Sequence, residues 1–540
     1  EAPLCLVASA TSPLPPRPEA SDSKVAPLVL DAAGRLYLER YWYYEQRVAT
    51  LLLQRAAHRS AVDAAWLAAT LDQLGLEIGA TPPNWQRVAA ALALRQGLCV
   101  ISGGPGTGKT YAVTKVLALL VAQAVARGAA PPRVALLAPT GKAAARLSES
   151  IRKELPHLTC TDAVRDAIPT AAATLHRHLG LRDEQRFADR HERKLADDVV
   201  IVDEASMIDI GLLWSLLDAL APTARLILLG DRDQLASVDA GTVLSDLCAP
   251  ADGSYSDAVA TELELVVGAR LPRRAVSAAG NIGDCMVELR ENRRFRSHPG
   301  IGKLAAAINA GDVDTALLTL RSDNFPEVDL VEDFDEAELV ERACRHFLTL
   351  QDETDPLAKL RALERFRILC AHRDGSHGVA GINDAVEHAL ARERHIDADS
   401  SGMYPGRPIL IERNDYATDL FNGDLGLIIA GSGDAPNVAA FLGGDGVRTL
   451  ALSRLPTHAT VFAMTIHKSQ GSEFDEVAIL LPSERSRVLT RELLYTAVTR
   501  AKSRVRIYAG ESVLRATIEA RIRRASGLQQ RLWGSTMPAT

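Results

Sequence analysis

Gly103-Gly104-Pro105-Gly106-Thr107-Gly108-Lys109-Thr110 follows the apolar run Leu98-Cys99-Val100-Ile101 and precedes a helix-like run from Tyr111 to Ala126. Strand, glycine-rich turn and helix in that order make a P-loop, G-x-x-x-x-G-K-T. Its glycines let backbone N–H groups curl around phosphate oxygens, and the helix N-terminus adds partial positive charge. Lys109 reaches the β- and γ-phosphates and the Thr110 hydroxyl ligates Mg²⁺, so Gly103 to Thr110 is read as the cradle of a nucleoside triphosphate.

Around this loop, short apolar runs alternate with helical patterns: Leu98–Ser102, Val134–Ala138, Val199–Asp203 and Leu226–Gly230. That alternation predicts a parallel sheet covered by helices on both faces. Ligands gather at the carboxyl ends of such strands. There the run Val199–Val202 ends in Asp203-Glu204, which places Asp203 on the nucleotide's Mg²⁺ and Glu204 beside the attacking water. The run Leu228-Leu229-Gly230 ends in Asp231-Arg232-Asp233-Gln234, and Gln234 is read as a γ-phosphate sensor. A second α/β pattern follows Glu291, with strands predicted at Phe366–Ala371, Glu476–Leu481 and Val505–Ala509. Between them Pro408–Glu412, Leu425–Ile429 and Val438–Leu442, punctuated by Asn422-Gly423-Asp424, predict a small β insertion. Pro82-Pro83 marks a boundary, and the stretch Leu36 to Arg55, with Tyr41 to Tyr44, predicts a helix with a broad apolar face. The Pro-rich stretch Ser12–Pro18 reads as loop.

At 540 residues the chain exceeds one hydrophobic core. No apolar run looks long enough to span a bilayer, which predicts a chain without membrane partners. The 7 cysteines are scattered without a C-x-x-C pair, which predicts reduced thiols and a cytoplasmic location. A net charge of -7 excludes coating nucleic acid by charge alone, leaving a local groove or a field supplied by partner subunits. Glu1, not Met, opens the chain, so further sequence is expected before it.

The P-loop, the Asp203–Ser206 run and Gly230–Leu235 together resemble superfamily 1 helicases. Further matching stretches occur in order: Asn84-Trp85-Gln86, Ala138–Ala144, Thr174-Leu175-His176, Leu289–Phe295, Thr465–Phe474 and Leu494–Lys502. Within that superfamily the wording, with Gly378–Asn383, Leu420–Asp424 and Arg35–Trp42, is similar to RecD-type subunits over nearly the whole chain. The resemblance implies an ATP-dependent 5′→3′ DNA motor for break repair and recombination. It implies a three-subunit complex with RecB-like and RecC-like partners, the nuclease residing in a partner. It implies two RecA-like lobes, at 81–290 and 291–540, an SH3-like insertion at about 400–458, and a partner-docking region at 1–80. Gln86 would read adenine, and Glu473 would join Gln86 and the P-loop at the nucleotide. Arg294 and Arg500, from the second lobe, would stabilise the transferring phosphoryl group, with Arg293 an alternative to Arg294. Pro139, Thr140, Lys142, Thr174, His176, Thr465 and His467 would contact single-stranded DNA. Two other classes stay open: a free-standing 5′→3′ repair helicase, and a nucleotide-switched DNA clamp that does not translocate.

Overall fold

The computed structural model describes residues 5–7, 27–78, 82–181, 194–237, 241–274, 281–393, 395–396, 402–415, 417–431, 435–443, 446–522, 524 and 526–534. The Ser12–Pro18 stretch lies outside them.

Two parallel sheets carry the fold. The first runs Ala172–Thr174, Val134–Ala138, Val199–Val202, Arg225–Gly230, Leu98–Gly103, Met286–Leu289, each neighbour parallel. Its inner strands are apolar without interruption because both faces are covered. Successive side chains point to opposite faces, and the cores divide accordingly. Cys99, Ile101, Ile201 and Ile227 pack with helices Trp85–Arg95 and Lys109–Ala126, while Leu98, Val100, Val200 and Leu226 pack with helices Glu39–Ala57 and Ile210–Ala219.

Two expectations are corrected here. Helix Lys109–Ala126 does have the length and mean hydropathy, 1.3, of a membrane span. Its apolarity is explained by cover, since Val113 and Val116 to Val121 are all buried in the first lobe. The stretch read as one helix from Leu36 begins as an edge strand, Leu36–Leu38, with the helix starting at Glu39. That helix turns its aromatic face onto the chain itself: Trp42 is 1% exposed, and Tyr44 stacks on Trp214 with ring centroids 4.8 Å apart.

The second sheet runs Val328–Val331, Ala501–Tyr508, Phe474–Leu480, Phe366–Cys370, Ala463–Thr465, again parallel throughout. Helices Pro299–Ala310 and Arg491–Val498 cover one face, and Glu336–Asp352 and Val379–Arg392 the other. Between Arg392 and Ala463 lies a five-stranded antiparallel sheet, Gly446–Ala451, Val438–Gly443, Leu425–Ile429, Pro408–Ile411, His458–Thr460. Its first and last strands were not anticipated. Gly446–Ala451 buries only Leu450, so its composition carries no apolar alternation to read.

Candidate functional site

The polar stretches of the first lobe leave one sheet edge together. Ser102 pairs with Gly230, and Val202 with both Leu137 and Leu228, so the P-loop, Asp203-Glu204 and the 231–235 turn emerge side by side. Loop shape enforces the glycines. Gly106 and Gly108 hold φ of +80° and +85°, where L side chains are disfavoured. A Cβ on Gly106 would stand 2.3 Å from Arg294 Cβ, and one on Gly108 2.4 Å from Gln86 Nε2. Helix Lys109–Ala126 starts without a side-chain cap, leaving its first N–H groups to a ligand. Lys109 Nζ donates to the carbonyls of Gly103 and Gly104, at 2.7 and 3.2 Å, and the Thr107 hydroxyl to Gly104 O at 2.8 Å. Uncapped N–H groups, an ammonium and glycine-only turns fit a chain of phosphates.

Asp203 is half-buried, and burial pushes its carboxyl up, helped by Glu204 and opposed by Lys109. A divalent cation beside Thr110 and Asp203 would hold that carboxylate ionised. Glu204 sits in the left-handed region at φ +53°, its N–H donating to Asp203 Oδ1 at 2.9 Å. Such a conformation costs roughly 1–2 kcal/mol in a non-glycine residue. Gln234 is 4% exposed and donates to Asp231 Oδ2 at 3.2 Å, while its Oε1 is buried without a hydrogen-bond partner among the described residues.

Gln86 is held at both ends. Its Nε2 donates to Thr107 O at 3.2 Å and its Oε1 accepts from Arg293 Nη2 at 3.3 Å. It lines a cavity of about 260 Å³ with Asn84, Trp85, Arg290 and Arg293. The two adjacent arginines part ways. Arg293 N donates to Gly106 O at 2.9 Å and its guanidinium lies 5.8 Å from the Tyr111 ring centroid, whereas Arg294 Nη2 reaches Glu473 Oε1 at 2.5 Å. Arg294 Nη1 is buried with no partner among the described residues. Arg294 therefore springs from a segment tied to the P-loop and pairs with Glu473, the residue before strand Phe474–Leu480. Burial raises the Glu473 carboxyl, but Arg294, Arg146 and Arg500 outweigh it and hold it below the usual range. Arg500 is 3% exposed and donates to Thr496 O and Ser472 O at 3.1 and 3.2 Å. Burial lowers its guanidinium pKa, with Glu204 and Glu473 acting against that.

Three contributors escaped the sequence reading. Asn292 Nδ2 donates to Pro105 O at 2.8 Å. The Tyr495 hydroxyl, from the second lobe, donates to Asp231 Oδ2 at 2.9 Å, and it lies 3.0 Å from where a Cβ on Gly104 would stand. Asp231 itself is driven up to about 6 by burial, with Lys109 pulling the other way. All three lie inside stretches already quoted, but only the fold shows which side chain meets the loop.

The candidate nucleic-acid residues divide. Pro139-Thr140 and Thr174 end neighbouring strands, with Ala138 paired to Thr174. Thr140, Thr174 and Thr465 each accept a backbone N–H at 3.2 Å, from Ala143, Arg177 and Lys468, so each hydroxyl keeps its own hydrogen to donate. His176 and His467 are half-buried. Burial lowers the His467 pKa, with Arg524 adding to it. Lys142 departs from expectation. It keeps partial exposure, yet burial brings its ammonium down to about 7, with Arg146 adding to this and Glu364 and Asp424 opposing. The insertion covers its helix start, since Phe421 Cγ lies 2.4 Å from where a Cβ on Gly141 would be.

Residues 86–240 match the AAA domain family, and residues 460–508 the UvrD-like helicase C-terminal domain. The chain is 42% identical over 503 residues to the RecBCD enzyme subunit RecD of Mycobacterium tuberculosis, covering 92% of this chain and 80% of that protein. It is 35% identical over 544 residues to the RecBCD enzyme subunit RecD of Haemophilus influenzae, covering 94% and 81%. It is also similar to the ATP-dependent RecD2 DNA helicase of Deinococcus radiodurans, 29% identical over 87% of this chain and 54% of that protein.

Proposed function

The chain belongs to the RecD family of RecBCD enzyme subunits, superfamily 1 helicases, and from that premise we propose that it is the ATP-driven 5′→3′ DNA helicase subunit of a RecBCD-type helicase–nuclease acting in double-strand break repair and recombination. It works beside RecB-like and RecC-like subunits, one of which carries the nuclease. The polarity rests on family membership. The observation that carries the motor reading is that both lobes meet at one P-loop, with Tyr495 over Gly104 and Arg294 joined to Glu473 beside Arg500.

The division of labour follows. Residues 81–290 form a RecA-like lobe in which the P-loop, with Lys109 and Thr110, holds the triphosphate. Asp203 and Thr110 would hold Mg²⁺, which neutralises charge on the phosphates when bound. Glu204 orients and deprotonates the attacking water. Residues 291–540 form the second lobe, from which Arg500 approaches the phosphates when the lobes close. Arg294 joins it by exchanging Glu473 for phosphate oxygens. Arginines used this way contribute on the order of 10³–10⁵ in rate. Because closure completes the site, hydrolysis is tied to movement of the lobes. Thr140, Thr174 and Thr465 donate to phosphates of a single strand, which positions DNA without reading its sequence. The antiparallel insertion, about 400–458, is an SH3-like module over the DNA side. In the 1–80 segment, the exposed Leu36 and Leu38 on the edge strand remain available to partner subunits.

Lys109→Ala in the assembled complex tests the reading. Its own 5′→3′ translocation and the ATP turnover tied to it are expected to fall at least a hundredfold, with complex assembly unchanged. Undiminished 5′→3′ translocation by that variant sinks the proposal. The similarity to a RecD2 helicase keeps the free-standing reading as the second choice. Failure of the full-length chain to co-purify with RecB-like and RecC-like subunits would favour it.

A further inference from the structure

One residue of the first lobe is gripped from the second by both its backbone polar groups, which belong to successive peptide units. Leu235 N donates to Thr496 Oγ1 at 2.8 Å, and Leu235 O accepts from Gln470 Nε2 at 2.6 Å. All three residues are enclosed: Leu235 is 4%, Thr496 0% and Gln470 9% exposed. On the first-lobe side, Leu235 directly follows Gln234. The turn that bears both is braced by Gln234 N to Asp231 O at 3.3 Å and Asp233 N to Asp231 Oδ1 at 3.0 Å. On the second-lobe side, Gln470 closes a turn that begins at Thr465. Lys468 N donates to Thr465 Oγ1, Ser469 N to Ile466 O and Gln470 N to His467 O, each at 3.2 Å. Two internally bonded turns, one at the nucleotide site and one carrying Thr465 and His467, thus meet through one buried residue.

We infer that Gln470 and Thr496 are positioning residues that transmit occupancy of the Thr465–His467 turn by single-stranded DNA to Gln234 through the backbone of Leu235. The inference rests on the motor reading above. A strand that settles on Thr465 and His467 shifts a turn of which Gln470 is the last member. The amide of Gln470 has its hydrogen bond to Leu235 O and carries that carbonyl with it. Thr496 holds the N–H of the same residue, in the peptide that joins it to Gln234, from the helix that leads to Arg500. Gln234 and Arg500 therefore change position together, and turnover responds to DNA without either positioning residue touching nucleotide or strand. A buried hydrogen bond of this kind is costly to leave unmade, so the linkage favours a correlated shift over independent movement of the turns.

The test uses the full-length chain, oligothymidylate as the single-stranded probe, and steady-state ATP hydrolysis with and without it. Gln470→Ala removes the donor to Leu235 O. Thr496→Val, nearly isosteric, removes the acceptor of Leu235 N and serves as an independent arm. In each, DNA stimulation of kcat is expected to fall about tenfold, within the usual span of coupling between sites. Unstimulated turnover, KM for ATP and Kd for the oligothymidylate stay within about twofold of the parent. The double variant is expected to lose no more than the worse single one, because both act on one residue. Stimulation retained in both single variants overturns the inference, and so does a rise in Kd that accounts for the loss, which would make Gln470 a DNA contact. If the unaltered chain shows no stimulation, the motor reading itself fails and takes this inference with it.

Discussion

Arg500 shows how much a single side chain is asked to do. It is buried, and two of its N–H groups satisfy the carbonyls of Thr496 and Ser472. Truncation to Ala would strand the Ser472 carbonyl at about 1–3 kcal/mol, while Thr496 O keeps the Thr499 hydroxyl at 3.1 Å, so a rate loss in that variant would mix chemistry with damage. Arg500→Lys keeps the charge and most of the volume but loses the planar fork that matches phosphate oxygens. We expect it to lower kcat by about a hundredfold with KM for ATP within about twofold, because the lost contact strengthens in the transition state. ATP turnover of the purified variant at varied ATP separates the two constants; a rise in KM with kcat intact would restrict Arg500 to ground-state binding. Lys142 teaches the opposite lesson. Its neighbours in sequence make it a strand contact, yet the insertion closes on its helix start, with Phe421 against Gly141 and the Asp424 carboxylate acting on its ammonium.

At the scale of the element, the P-loop is a turn whose shape leaves no room for substitution. Gly108 combines φ of +85° with a neighbour, Gln86 Nε2, at 2.4 Å from any Cβ. Gly108→Ala is expected to raise KM for ATP at least tenfold while lowering the melting temperature by only a few degrees, since an alanine in the left-handed region costs about 1–2 kcal/mol. Adding Gln86→Ala to that variant frees the space but not the dihedral angle, so only part of the affinity should return. Nucleotide titration of the three proteins checks this, and full recovery in the double variant would mean that crowding alone fixes the glycine. The element also explains how far the motif reached. Spacing named the loop, Asp203-Glu204 and Gln234, because each follows an apolar strand directly. Arg294 was harder, since it follows the short strand Met286–Leu289 and owes its place to Arg293 N bonding Gly106 O.

For the whole molecule, the N-terminal segment is part of the first lobe's core. Val48, Leu52 and Ala56 of helix Glu39–Ala57 pack with Leu98, Val100 and Val200 of the sheet that carries the P-loop. Leu67 and Leu71 pack with Val88 and Leu92 on the other face. Removing residues 1–80 would uncover the sheet face under helix Glu39–Ala57 and the outer side of helix Trp85–Arg95, at about 25 cal/mol for each Å² of apolar surface. The truncated chain is therefore expected to aggregate or melt well below the parent and to lose ATP turnover with it. A soluble, cooperatively folded 81–540 fragment with parental turnover would show that the segment is an accessory. By itself the sequence determined the chemistry and its order along the chain, because the P-loop, the paired acids and the strand periodicity are local patterns whose meaning lies in adjacent residues. It also determined that two parallel-sheet units follow one another. Only the tertiary structure decided that the aromatic helix faces inward, that the insertion closes on the helix start at Gly141, and that Tyr495, Gln470 and Thr496 reach the 231–235 turn. Those contacts join residues more than 160 positions apart across sheets and lobes, and a side chain's role there depends on which distant surface closes over it, a property no local spacing encodes.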